Sequence, residues 1–62
     1  MKHEINDILT PGMLVRHPAC PEWGPGQVQS NINGRITVNF RHRGKVVLDG
    51  RVIALILLSD PE

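Results

Sequence analysis

The sequence predicts an all-β domain in which five short strands curl into a small barrel. Three observations predict it. Ile, Val and Leu recur along a chain of 62 residues that is 40% hydrophobic and 21% charged, and β-branched residues suit a pleated, half-buried surface. Gly, Pro, Asn and Asp interrupt the chain at short intervals, leaving segments of strand length rather than helix length. Residues 35–41 alternate between apolar and polar without a fault, the pattern of an antiparallel strand with one wet face.

The elements follow in order. Residues 1–10 are mixed in character and are expected to form a flexible N-terminal arm, which Thr10-Pro11-Gly12 ends as a turn. Met13 to His17 is the first strand, with Val15 pointing inward. Residues 18–26 hold three prolines and two glycines and are expected to form a shaped loop, because Pro fixes φ and Gly permits positive φ. Gln27 to Ile32 is the second strand, with Val28 and Ser30 assigned to the inside. Asn33-Gly34 is the favoured pair for a type I′ hairpin. Beyond it, Ile36, Val38 and Phe40 share one face of the third strand, and Arg35, Thr37, Asn39 and Arg41 share the other. His42-Arg43-Gly44 turns into a fourth strand, Lys45 to Asp49, whose apolar residues fall on both faces and leave its register open, with a bulge as one solution. Asp49-Gly50 turns again, residues 51–54 make one helical turn, and Leu55 to Leu58 is the last strand. The barrel is thus expected over residues 11–59, with a polar tail at 60–62. Curling is expected because a flat sheet this small would leave its apolar face in water, and an SH3-like barrel is the resulting architecture.

Composition narrows the function. A domain this short buries only about 60% of its unfolded surface, so it gains much from a staple. Cys20 is the single cysteine, which excludes an internal disulfide and points to a reducing, cytoplasmic compartment. The N-terminus lacks the apolar stretch of a secretory signal. The longest apolar run, Val52 to Leu58, falls far short of the roughly 20 residues of a membrane span. It is expected to be a buried strand, or in part a seam between two copies in a weak homodimer. The net charge of +1 gives no strong overall field toward nucleic acid.

A spaced pattern then runs through the chain: Gly12-x-x-Val15-x-His17-Pro18, Trp23-Gly24-x-Gly26-x-Val28, Ile36-x-Val38-x-Phe40, Gly44, Leu48 and Leu55. It resembles a bacterial family of stand-alone domains with no assigned function. It is also similar to the Tudor-like C-terminal segment of UvrD/PcrA-type helicases and, more distantly, to the RNA-polymerase-interacting domains of CarD-type regulators. The resemblance implies a five-stranded SH3-like/Tudor-like barrel that docks on a protein, with RNA polymerase the partner in those relatives.

Candidate sites were weighed against plainer roles. His17-x-x-Cys20 has ligand-like spacing, with His3 and His42 as further donors, but structural zinc wants four ligands and usually more than one cysteine. The expected role of His17 is a hydrogen bond to loop backbone, and no metal or cofactor is expected. A Cys20–His17 nucleophile would need an orienting group and a pocket of about 300 Å³ or more, so no enzyme is expected. Trp23 and Phe40 are the only large rings, too few for a methyl-lysine cage. Trp23 is either a binding anchor or a lid over the open end of the core. Arg41, Arg43 and Lys45 flank one turn, and Arg35 shares the outward face of its strand with Arg41. This cluster suits an acidic protein surface or phosphates, or is a solvated face. The expected function is therefore a non-catalytic protein-interaction module binding through Trp23, Arg35, Arg41, Arg43 and Lys45. The alternative is a nucleic-acid-binding module that contacts phosphates through the basic turn.

Overall fold

A computed structural model describes residues 9–59 of the chain. The N-terminal arm up to residue 8, with His3, and the tail at 60–62 lie outside the described residues. Five strands form one antiparallel sheet: β1 (Leu14–Arg16), β2 (Gly26–Ile32), β3 (Arg35–Phe40), β4 (Gly44–Asp49) and β5 (Ile56–Ser59). Their order is β4-β3-β2-β1-β5. A single 3-10 turn over Pro21–Trp23 interrupts the loop between β1 and β2.

Cross-strand registers show why these residues form these strands. One inward row runs through Gly44, Phe40, Gly26, Val15 and Leu57, and so crosses all five strands. A second runs through Val46, Val38 and Val28, and a third through Leu48, Ile36 and Asn31. The period-2 alternation of β3 therefore continues on its neighbours, as a shared buried face requires. Val15, Val28, Ile36, Val38, Phe40 and Leu48 are all buried in one core. Each such side chain contributes about 1.5–3 kcal/mol relative to exposure.

Five antiparallel strands bear out the all-β expectation, and the sheet they form is not closed into a barrel. β4 and β5 are its two edges. The inward face is kept dry by side chains from the connections instead of by a closing ladder. Leu9 and Leu55 are buried there, at 3% and 2% exposure. Met13, Trp23, Ile53 and Leu57 pack against the same cluster. Leu9, which the sequence reading places in the arm, is thus part of the core.

Two further differences concern register. β4 pairs with β3 without interruption from Gly44 to Asp49, so its second apolar face is simply exposed: Val47 is 61% accessible. The irregularity lies in β2, where Val28 opposes Val38 but Ser30 opposes Thr37. Gln29 is the extra residue of a β-bulge, and it reverses the alternation beyond it. Ser30 turns to the outer face, contrary to the inward assignment. Asn31 takes the inner position and donates its Nδ2 to the Leu9 carbonyl at 3.1 Å. Ile32 lies on the outside at 64% exposure.

The Asn33-Gly34 hairpin has positive φ at both central residues, 52° and 81°, as a type I′ turn demands. Gly26 is required for a different reason. A Cβ there would lie 2.5 Å from Val38 Cγ1 and 2.6 Å from Phe40 Cδ1. Two substitutions separate these causes. Gly34→Val, whose Cβ would meet only the flexible Arg51 side chain at 3.7 Å, should destabilise by more than about 1 kcal/mol through backbone strain. Gly26→Ala should cost about 1–3 kcal/mol through overpacking. Urea unfolding checks both; an unchanged midpoint would contradict the turn in the first case and the close ring contact in the second.

Candidate binding face

The two faces of the sheet have different chemistry. On the inner side, at the end near the β1–β2 loop, three rings meet. Trp23 stands edge-on to His17 at 4.9 Å between centroids and to Phe40 at 5.2 Å, distances and angles that aromatic pairs favour. His17 is buried at 5% exposure, and its Nδ1 accepts a hydrogen bond from the Ala19 amide at 3.1 Å. The Cys20 amide donates to the His17 carbonyl at 3.3 Å, so the His17-x-x-Cys20 spacing here makes a turn. Among the described residues, no group of three or more His, Cys, Asp or Glu side chains could hold a metal ion.

Two backbone bonds fasten this loop to the turn after β3: the Arg41 amide to the Pro25 carbonyl and the His42 amide to the Trp23 carbonyl, both 2.9 Å. Arg43 lies with its guanidinium carbon 5.4 Å from the Trp23 ring centroid, within cation–π range. Trp23 is half-buried, a lid on the core, and Arg43 covers its other side.

The outer face carries cations interleaved with aliphatic and small polar groups. The register sets three rows: Asp49, Arg35 and Ile32; then Val47, Thr37 and Ser30; then Lys45, Asn39, Gln27 and Leu14. Arg16 opposes Ile56 beyond them. Leu14 and Ile56 are 37% and 40% exposed. Two hollows open on this face. One, of about 540 Å³, lies at the hairpin end and is lined by Ser30, Ile32, Arg35, Thr37, Val47 and Arg51, with Asn33 at its rim. The other, of about 330 Å³, lies at the opposite end between Leu14, Pro25, Gln27, Asn39 and Arg41.

Charge is segregated along the chain. Residues 9–59 hold six of the seven cations and two of the six carboxylates, Glu22 and Asp49, so this body carries +4 against +1 for the whole chain. Among the described residues Asp49 is also the one carboxylate on the outer face. Its Oδ1 accepts the Arg51 amide at 3.0 Å and lies 3.5 Å from Arg51 Nε. The backbone hydrogen bond from Arg51, with smaller help from the Arg51 and Arg35 guanidiniums, holds its pKa below the usual carboxylate value.

The structure divides the residues that the sequence groups together. Arg41 and Lys45 stand near one end of the outer face. Arg35 is about 20 Å away at the other end of β3, given the rise per residue of a strand. Arg43 and Trp23 are stacked on each other at the loop. Sequence reasoning missed Arg16 and Arg51. The signal for Arg51 was present: pairing Arg35 with Asp49 across two tight turns necessarily brings residue 51 beside the Asn33-Gly34 hairpin. No helix among the described residues is long and apolar enough to cross a membrane.

Comparison with known proteins gives one match: the family model described as "Protein of unknown function (DUF3553)" covers residues 9–58. No curated protein and no solved structure matches, and nothing found links the chain to the UvrD/PcrA-type or CarD-type domains. The matched span ends one residue short of the described body, and includes every buried residue of the core.

The Asp49 turn has a pH signature. A carboxyl whose pKa is lowered on folding stabilises the folded state above its unfolded pKa and loses that contribution as pH falls through the folded value. The Arg51 amide resonance should therefore titrate below about pH 4, and Asp49→Ala should abolish the titration. A midpoint at or above the ordinary carboxylate value would contradict the hydrogen bond.

Proposed function

We propose, since the chain belongs to the DUF3553 family of proteins of unknown function, that its role is carried by the outer sheet face, a non-catalytic docking surface for an acidic protein. One observation carries this reading: exposed aliphatic side chains and unstacked cations alternate on that face, while both large rings lie in the cluster on the other side. Leu14, Ile32, Val47 and Ile56 supply area whose desolvation favours binding. Arg16, Arg35, Arg41 and Lys45 supply the field that steers and orients an acidic partner.

The nucleic-acid alternative draws on the same cations, Arg41 and Lys45 foremost. It lacks the stacking platforms that single-strand binders use, because Trp23 is covered by His17, Phe40 and Arg43. It would also leave the aliphatic groups of the face without a partner. The resemblance to helicase-associated and CarD-type domains makes RNA polymerase the first partner to test, with the cytoplasm as the setting. The same resemblance supports an SH3-like/Tudor-like barrel, in which the β4 and β5 edges would be the two brought together.

Capture on the immobilised protein from bacterial lysate, with and without nuclease, tests the reading. RNA polymerase subunits are expected to remain after nuclease and to be lost with the folded Arg41→Glu/Lys45→Glu variant. Captured proteins that vanish with nuclease would make nucleic acid the partner.

A further inference from the structure

The hairpin-end hollow has a composition that the rest of the face does not repeat. Two arginines, Arg35 and Arg51, stand at one side of it. Ser30 and Thr37, paired across adjacent strands, line it together with the aliphatic side chains of Val47 and Ile32. The hollow exists because the Gln29 bulge turns Ser30 and Ile32 outward. Gly50 holds the far wall in place through its amide, 2.6 Å from the Gly34 carbonyl. Its volume, about 540 Å³, falls in the range of small-ligand pockets.

We propose that this hollow is a recognition subsite for an acidic–aliphatic peptide: one carboxylate held by Arg35 and Arg51, and the neighbouring aliphatic side chain against Val47 and Ile32. The inference deepens the docking function above and rests on it. A guanidinium forks onto a carboxylate through paired N–H donors, and Arg51 already keeps the Asp49 carboxylate within 3.5 Å. Among the described residues Asp49 is the one acidic group facing the two arginines, so it neutralises part of their charge and leaves a surplus cation for the ligand. The hydroxyls of Ser30 and Thr37 supply further donors. Val47 and Ile32, 61% and 64% exposed, are what select a peptide over a sugar–phosphate backbone, which has no aliphatic group to place against them.

The test is an amide-resonance titration of the whole chain with three probes: a short acetylated peptide alternating Glu and Leu, its Gln–Leu counterpart, and a DNA duplex. The Glu–Leu peptide is expected to shift Ser30, Ile32, Arg35, Thr37 and Val47 saturably, with the Gln–Leu peptide about tenfold weaker or more. Arg35→Gln and Arg51→Gln should each weaken the Glu–Leu peptide by about fivefold, and Val47→Thr by a few-fold, with unchanged thermal midpoints. Shifts confined to Leu14, Gln27, Asn39 and Arg41 would overturn this subsite while keeping the acidic-protein reading. Shifts with the duplex alone would overturn both. No shift with any probe would overturn the subsite, leaving the docking function to stand on the capture experiment.

Discussion

The Phe40 ring lies against Gly26, and the rest of the domain is arranged around that contact. In its row Phe40 faces Gly26 on β2, the position where a Cβ would strike the ring, while Gly44 on β4 serves the turn through its φ of 89° and has nothing within 4 Å of where a Cβ would stand. The space left open at Gly26 is filled by the ring and by Val38. Trp23 then stands on Phe40 and His17 on Trp23, and this ring stack, with the two backbone bonds to the turn after β3, fixes the loop between β1 and β2. A 62-residue chain can bury few large groups, and here one ring serves the sheet and its loop together.

This economy has a functional side. Both large rings are committed to the core end, and Arg43 is committed to Trp23. The outer face holds short polar groups, four exposed aliphatic residues and other cations. Residues 9–59 carry +4, and the chain's net charge is +1 because four of its six carboxylates lie outside that span.

The fold was legible where local pattern and tertiary burial agree. β3 alternates faultlessly, and its even-numbered residues are all buried. The Asn33-Gly34 hairpin follows from the need for two positive φ values. Legibility failed where a distant contact decided the outcome. Leu9 belongs to the core because Asn31 reaches its carbonyl from β2, a link over 22 positions that composition cannot show. Packing from the connections was hidden in the same way: Leu55, Ile53 and Trp23 join the cluster on the inner face from outside the strands. Of the candidate binding residues, the sequence placed Arg35 and Arg41 on one face but grouped Arg43 with Arg41 and Lys45. Sequence neighbours around a turn do not share a surface when one of them stacks on a ring from another loop.

The bulge at Gln29 makes β2 a strand with two parities. Up to Val28 its even positions face the core; after Gln29 the odd ones do, and the hairpin it feeds inherits the inversion. Strand register and surface chemistry are therefore linked at this point. Were Gln29 paired in regular alternation, with no bulge, Ser30 and Ile32 would turn inward and Asn31 would turn out to the solvent side. The Leu9 tether and the hairpin-end hollow would disappear together. In this domain one residue left out of the ladder exchanges interior for exterior, and the outer face is written in the phase of the strand as much as in its residues.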